Sequence, residues 1–158
     1  MRMKGRAICL FVRLAILFCA FPVAAQEVDV AVVVNENNRV DNLTSAELRK
    51  IFFGERRSWA VGIPIKLIVR GSATHERAVL LKLLAMSESE YKEYWIAQIF
   101  RGEADAEPLT LPSFDLEKQA VSIFPGAIAF VDAQELKPGM KVLKLNGRMP
   151  GESGYPLH

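Results

Sequence analysis

Thiols are almost missing from this chain. Its 158 residues hold two cysteines, Cys9 and Cys19, both within the first 25. Histidine is as scarce, with only His75 and the terminal His158. A Ser-His-Asp arrangement would therefore depend on His75 alone. No thiol cluster, His-x-x-x-His pair or dense carboxylate loop offers a metal its ligands. Neither a P-loop nor a G-x-G-x-x-G fingerprint occurs. No catalytic group, cofactor or metal is expected on these grounds.

A large charge of one sign is also missing, since 20 basic residues face 18 acidic ones. What basic excess there is sits at the front. Arg2, Lys4 and Arg6 precede a mostly apolar stretch from Ala7 to Phe21, and Pro22-Val23-Ala24-Ala25 supplies small residues for a peptidase. This is the pattern of a secretory signal cut after Ala25. Arg13 interrupts the apolar run, which is short for a membrane span, so an uncleaved anchor is the weaker alternative. Phe18 before Cys19 is too bulky for lipoprotein processing. Removal of residues 1–25 takes four basic residues and no acidic ones, leaving 16 basic against 18 acidic residues and no cysteine. Nucleic acid is then not an expected partner, no span remains in the mature chain, and the location is periplasmic or secreted. The remaining residues, 26–158, suit one domain with a core of its own.

Val28 to Val34 reads as a strand buried on at least one face, and Asn35 to Asn42 as a polar loop. Thr44 and Glu47 form a capping box, with Leu43 and Leu48 as its staple, for a helix that stops at Gly54. Glu55 to Pro64 is a loop carrying Arg56, Arg57 and Trp59. A strand from Ile65 to Val69 leads into a helix after Thr74. Ser87 and Glu90 form a second capping box, with Met86 and Tyr91 as staple. The helix it starts presents Tyr91, Trp95, Ile99 and neighbouring Tyr94, and Gly102 ends it. Glu103 to Pro112 is a polar loop, and Ser113 caps a helix to about Ile123. Ala127 to Val131 is a short strand and Lys141 to Leu145 a half-buried one. Asn146 to His158, rich in Gly and Pro, reads as a loosely held tail. The sum is an α/β domain at residues 26–145, with about four strands around one sheet, preceded by the signal at 1–25 and followed by the tail at 146–158.

One segment stands out chemically. The apolar strand ends on Arg70, and Gly71-Ser72-Ala73-Thr74 turns directly into a helix. Unpaired N–H groups, the positive end of the helix dipole, small hydroxyls and a guanidinium would converge there, which favours an oxyanion. Its bland counterpart is a simple helix cap by Ser72 or Thr74. Trp95 with Tyr94 could line a cleft but reads better as core, Arg56 and Arg57 as a solvated loop, and His75 as a solvated helical residue.

Three blocks carry a family resemblance. Leu43-Thr44-x-x-Glu47-Leu48-x-x-Ile51-Phe52-x-Gly54 followed by Trp59 resembles a helix and Trp-containing loop of the phosphate-type ABC-transporter substrate-binding proteins, the periplasmic binding protein-like domain family. Arg70 with Ser72-Ala73-Thr74 resembles that family's arginine and Ser-Gly-Thr anion turn. Phe124-Pro125-Gly126-Ala127-Ile128-Ala129-Phe130-Val131 is similar to its Pro-Gly-Ala-Ile-Gly-Tyr strand. Together the blocks extend from about Val30 to Asp132. The resemblance implies a single type II lobe, with a central mixed sheet flanked by helices. It implies that Arg70 is the charge partner, that Ser72 and Thr74 donate hydroxyls, and that backbone N–H groups at Ala73 and Thr74 complete the cradle with Gly71. Ala73 stands where the family has glycine, and Arg70 lies closer to Ser72 than is usual there. Arg77, one turn on, offers a second guanidinium.

Full members of that family have two lobes, and this chain has the length of one. The expected function is an exported, non-enzymatic domain that binds phosphate or a similar oxyanion and is linked to phosphate ABC transport. Its partner would be an ABC permease or another envelope protein. The alternative is a periplasmic protein-interaction module that has lost ligand binding. A small hydrolase using Ser72 with His75 is the third reading.

Overall fold

The computed structural model describes residues 28–60 and 62–158; the expected signal segment lies outside them. The β-branched run near the front forms β1 (Val30–Asn35), and all six of its residues are buried. A strand that is apolar on both faces needs cover on both, and the chain supplies it. Val30, Val32 and Val34 join one core cluster, while Ala31 and Val33 join the other.

After the two-residue β2 (Asn42–Leu43) comes α1 (Ser45–Phe52), and its start follows the expected box. The Glu47 N–H donates to Thr44 Oγ1 at 3.1 Å, and the Thr44 N–H donates to Glu47 Oε2 at 2.8 Å. The chain turns out of the helix at Gly54, with φ +71°. Next are β3 (Lys66–Arg70) and α2 (His75–Leu84), then α3 (Glu88–Phe100), whose Ser87–Glu90 box closes in the same way. β4 (Leu109–Leu111), α4 (Phe114–Ile123) and β5 (Ala127–Asp132) follow, then β6 (Met140–Val142) and β7 (Lys144–Leu145). Among the described residues no helix is long and apolar enough to cross a membrane.

The main sheet has five strands in the order β4-β3-β5-β1-β6, and β2 pairs with β7 in a small second sheet. β3 runs parallel to β4 and β5, while β1 is antiparallel to β5 and β6. The sheet is therefore mixed and flanked by helices, as the sequence resemblance implied. α1, α2 and α3 contribute Leu48, Phe52, Leu80 and Trp95 to one face. α4 covers the other with Phe114, Ala120 and Val121. Phe52 stacks on Phe130 of β5, with ring centroids 4.8 Å apart and planes 9° from parallel.

Three local expectations change in the folded chain, two of them through long-range pairing. The stretch 103–112 contains β4, so the main sheet gains an edge strand there. The alternating segment 141–145 is two strands in different sheets, broken at the buried Leu143. In α3, Tyr91 and Trp95 face the core but Ile99 is 38% exposed, which narrows the aromatic face.

The Gly- and Pro-rich end is held, contrary to the loose tail read from its composition. Tyr155 and Leu157 are each 3% exposed and belong to the larger core cluster. The Val30 N–H donates to the Leu157 carbonyl at 2.9 Å, and the Tyr155 hydroxyl donates to the Val30 carbonyl at 2.9 Å. Leu157→Ala should accordingly cost about 2–3 kcal/mol of stability, as for a buried leucine. Urea unfolding would measure it, and a shift of about half a kcal/mol or less would mean that the tail does not support the core.

Candidate functional site

The carboxyl end of β3 lies beside that of its parallel neighbour β5, which separates it from the start of antiparallel β1. Arg70 is the last residue of β3, and α2 begins after four intervening residues. Thr74 makes the junction. Its hydroxyl donates to the Gly71 carbonyl at 3.0 Å and accepts the Arg77 N–H at 3.3 Å. One side chain thus closes the turn and caps the helix. The His75 and Glu76 N–H groups, in the first helical turn, have no intrahelical acceptor, and the positive helix end points the same way.

Ala73 occupies the left-handed region with φ +69°. A Cβ there costs on the order of 1–2 kcal/mol, which glycine would not incur. The turn therefore adopts a backbone conformation that its residue type disfavours. Ser72 and Ala73 are exposed, while Gly71 and Thr74 are partly covered. His75 turns aside, its Nε2–H donating to the Val28 carbonyl at 2.9 Å. That leaves Ser72 without the imidazole contact a serine nucleophile needs.

The arginines are placed differently from each other. Arg70 turns inward, with its side chain 12% exposed. Its Nε is 3.9 Å from Glu76 Oε1, and its Nη1 is 3.9 Å from Glu117 Oε2. Both separations exceed a hydrogen bond, and neither nitrogen has a hydrogen-bond partner. Arg77 is committed to α3. Its Nε and Nη2 donate to the two Glu88 carboxylate oxygens at 3.0 and 2.8 Å, and its guanidinium lies 4.0 Å from the Tyr91 ring centroid. Of the six residues read from the sequence, five form the β3–α2 junction, and Arg77 directs its charge to Glu88.

Two acids that sequence reasoning missed complete the surroundings of Arg70. Glu76 is 5% exposed and Glu117 fully buried. Both Glu117 oxygens lack a hydrogen-bond partner. Burial, first, pushes the Glu117 carboxyl up to about 8; Arg70 opposes the rise, while Glu76 and Glu135 add to it. A signal for Glu117 was present in the sequence. It falls inside the buried α4 stripe of Phe114, Ala120 and Val121, where an acid interrupts the apolar period.

Concavities of about 320, 530 and 330 Å³ indent the surface elsewhere, and none of the three is lined by residues 70–74. At the turn itself Ser72 and Ala73 stand open to solvent. Among the described residues no group of three or more His, Cys, Asp or Glu side chains is placed to hold a metal ion.

No protein-family model matches the chain, but its fold has solved counterparts. It matches an ABC-type phosphate transport receptor from Vibrio cholerae with a TM-score of 0.63 and 21% identity, over 78% of this chain and 48% of that one. PstS from Borrelia burgdorferi matches with a TM-score of 0.58 and 17% identity, over 78% of this chain and 49% of its own. A phosphate binding protein from Stenotrophomonas maltophilia gives 0.57 and 17%, over 78% and 40%. The chain therefore spans about half the length, or less, of the structures it matches. At these identities the likeness defines the fold: an α/β, periplasmic-binding-protein-like domain. More narrowly, it is the fold of a single lobe of the phosphate ABC transporter substrate-binding proteins.

Proposed function

We propose that this is an exported, non-enzymatic binding domain that takes phosphate or a similar tetrahedral oxyanion at the β3–α2 turn. The observation that carries the reading is the junction itself: a strand ending on Arg70 runs through an exposed Ser72 and a left-handed Ala73 into the open N-terminus of α2. The phosphate-binding proteins whose fold it shares make phosphate the first anion to test. In this reading the Ser72 hydroxyl and the turn's N–H groups contact the anion. Thr74 holds the turn in shape, and Arg70 supplies positive charge from beneath. The domain acts outside the cytoplasm, after removal of residues 1–25, and hands its anion to an ABC permease or another envelope protein.

An open turn leaves the anion in contact with water, where each charge interaction is weak. Affinity should accordingly be low, with Kd on the order of 1 mM, equivalent to about 4 kcal/mol. Titration of the mature protein with phosphate and with sulfate, followed by amide chemical shifts, tests this. Shifts centred on residues 72–76 and saturating in the millimolar range are expected. Arg70→Ala should weaken binding about ten-fold and Arg70→Lys less, since loss of one charge partner is worth about 1.4 kcal/mol here. No saturable shift with either anion would sink the reading.

A further inference from the structure

Arg70 and Glu117 face each other without closing. Their nearest atoms, Nη1 and Oε2, are 3.9 Å apart, about 1 Å beyond a charge-assisted hydrogen bond. Arg70 Nε, Arg70 Nη1 and both Glu117 oxygens are buried without hydrogen-bond partners. Buried polar groups are ordinarily satisfied, yet Nη1 and the two Glu117 oxygens are unsatisfied at this gap, while Nε lies 3.9 Å from Glu76 Oε1. A pair left in this state is open to two arrangements. In one arrangement the carboxyl is neutral and the guanidinium is balanced by Glu76 alone. In the other it is charged, and attraction across a low-dielectric gap draws the guanidinium onto it.

We propose that Glu117 is a positioning residue that controls the charge Arg70 offers the turn. While the carboxyl is protonated, Arg70 is available to an oxyanion; once it ionises, it takes the guanidinium for itself. The anion half of this inference rests on the function proposed above. The groups facing Glu117 are Arg70 from β3, Glu76 from α2 and Glu135 from the turn after β5. Two of the three are acids, which favour the proton staying on. With the carboxyl pushed up to about 8, the exchange falls at mildly alkaline pH, and anion affinity should drop as pH rises through that value.

The test has two arms. In the first, ¹⁵N,¹³C-labelled protein without added anion is titrated from pH 6 to 10, following Arg70 Nε and the Glu117 carboxyl carbon. Both should move with a common midpoint near 8, and Glu117→Gln should abolish the Arg70 response. An Arg70 Nε signal that stays flat, or moves identically in the variant, overturns the proposal. If the variant does not fold, the Glu117 carbon of the unaltered protein decides: no titration near 8, or one that Arg70 does not share, overturns the proposal as well.

In the second arm sulfate, which keeps its charge over this range, is titrated at pH 7 and 9.5. Affinity should fall about ten-fold in the native protein and less than about two-fold in Glu117→Gln, corresponding to about one unit of coupling. Equal losses in both overturn the link between Glu117 and the anion. Absence of sulfate binding at either pH overturns the oxyanion reading and with it the anion half of this proposal, while the first arm still decides the Arg70–Glu117 exchange.

Discussion

Gly126→Ala should unfold this protein or leave it close to unfolding. A Cβ added at Gly126 would lie 1.8 Å from the Pro64 carbonyl oxygen and 2.9 Å from its carbon. Those are backbone atoms and cannot swing away as the end of a side chain can. Both sides of the contact are tied. The Gly126 carbonyl accepts the Lys66 N–H at 2.9 Å and the buried Trp59 indole N–H at 3.1 Å. Beyond Pro64, the Ile65 N–H donates to the Arg57 carbonyl at 2.8 Å. Relief would require parting β3 from β5 where Lys66 pairs with Ala127, in the middle of the five-stranded sheet. A loss of more than about 4 kcal/mol is expected, in the range reserved for severe core disruption. Urea unfolding of Gly126→Ala beside Gly71→Ala checks it, because a Cβ at Gly71 meets nothing within 4 Å and should change stability by about half a kcal/mol or less. If the two variants unfold at similar urea concentrations, the close approach does not matter.

Much of this fold is written locally. The capping boxes at Thr44–Glu47 and Ser87–Glu90 are hydrogen-bond exchanges between residues three positions apart, so the chain near each helix start specifies them unaided. The Phe124-Pro125-Gly126 turn and the β-branched run of β1 are similarly legible. β4 is not. Leu109–Leu111 is a strand because Ile68 and Arg70 of β3 pair with Leu109 and Leu111, and nothing within its own three residues supplies that partner. The tail fails for a related reason. Its Gly and Pro content describes a turning backbone, but Tyr155 and Leu157 place two large side chains in the core, and side-chain burial decides whether such a segment is held.

The site divides in the same way. Arg70 to Thr74 could be read from the sequence because a strand end, a turn and a helix start adjoin there. Arg77 could not be placed correctly, since its charge is claimed by Glu88, eleven residues on. Glu117 was invisible as a neighbour of Arg70 because helix and strand meet only in the folded sheet.

That hidden acid should also set the pH at which the protein is most stable. Glu117 holds its proton up to about 8 in the folded chain, against an ordinary value of 4.5. Between those values the folded state binds a proton that the unfolded state has released, so stability falls as pH rises. Across the window the loss from this one group is roughly 3–5 kcal/mol, at 1.36 kcal/mol per unit. Glu47 in its capping box and the part-buried Glu88 beside Arg77 act in the opposite sense at lower pH. Hydrogen bonds from Thr44 lower the Glu47 carboxyl, and those from Arg77 lower Glu88. Their stabilising effect is present above the unfolded value and lost as pH falls through the folded one. The two windows meet near pH 4.5, which places maximum stability on the mildly acidic side of neutrality. Urea unfolding at intervals from pH 4.5 to 9 should show a decline that Glu117→Gln largely removes, since a neutral amide has no proton to lose. A native profile that is level or rising from pH 5 to 8, with the same slope in the variant, would mean that Glu117 is already ionised and paired with Arg70.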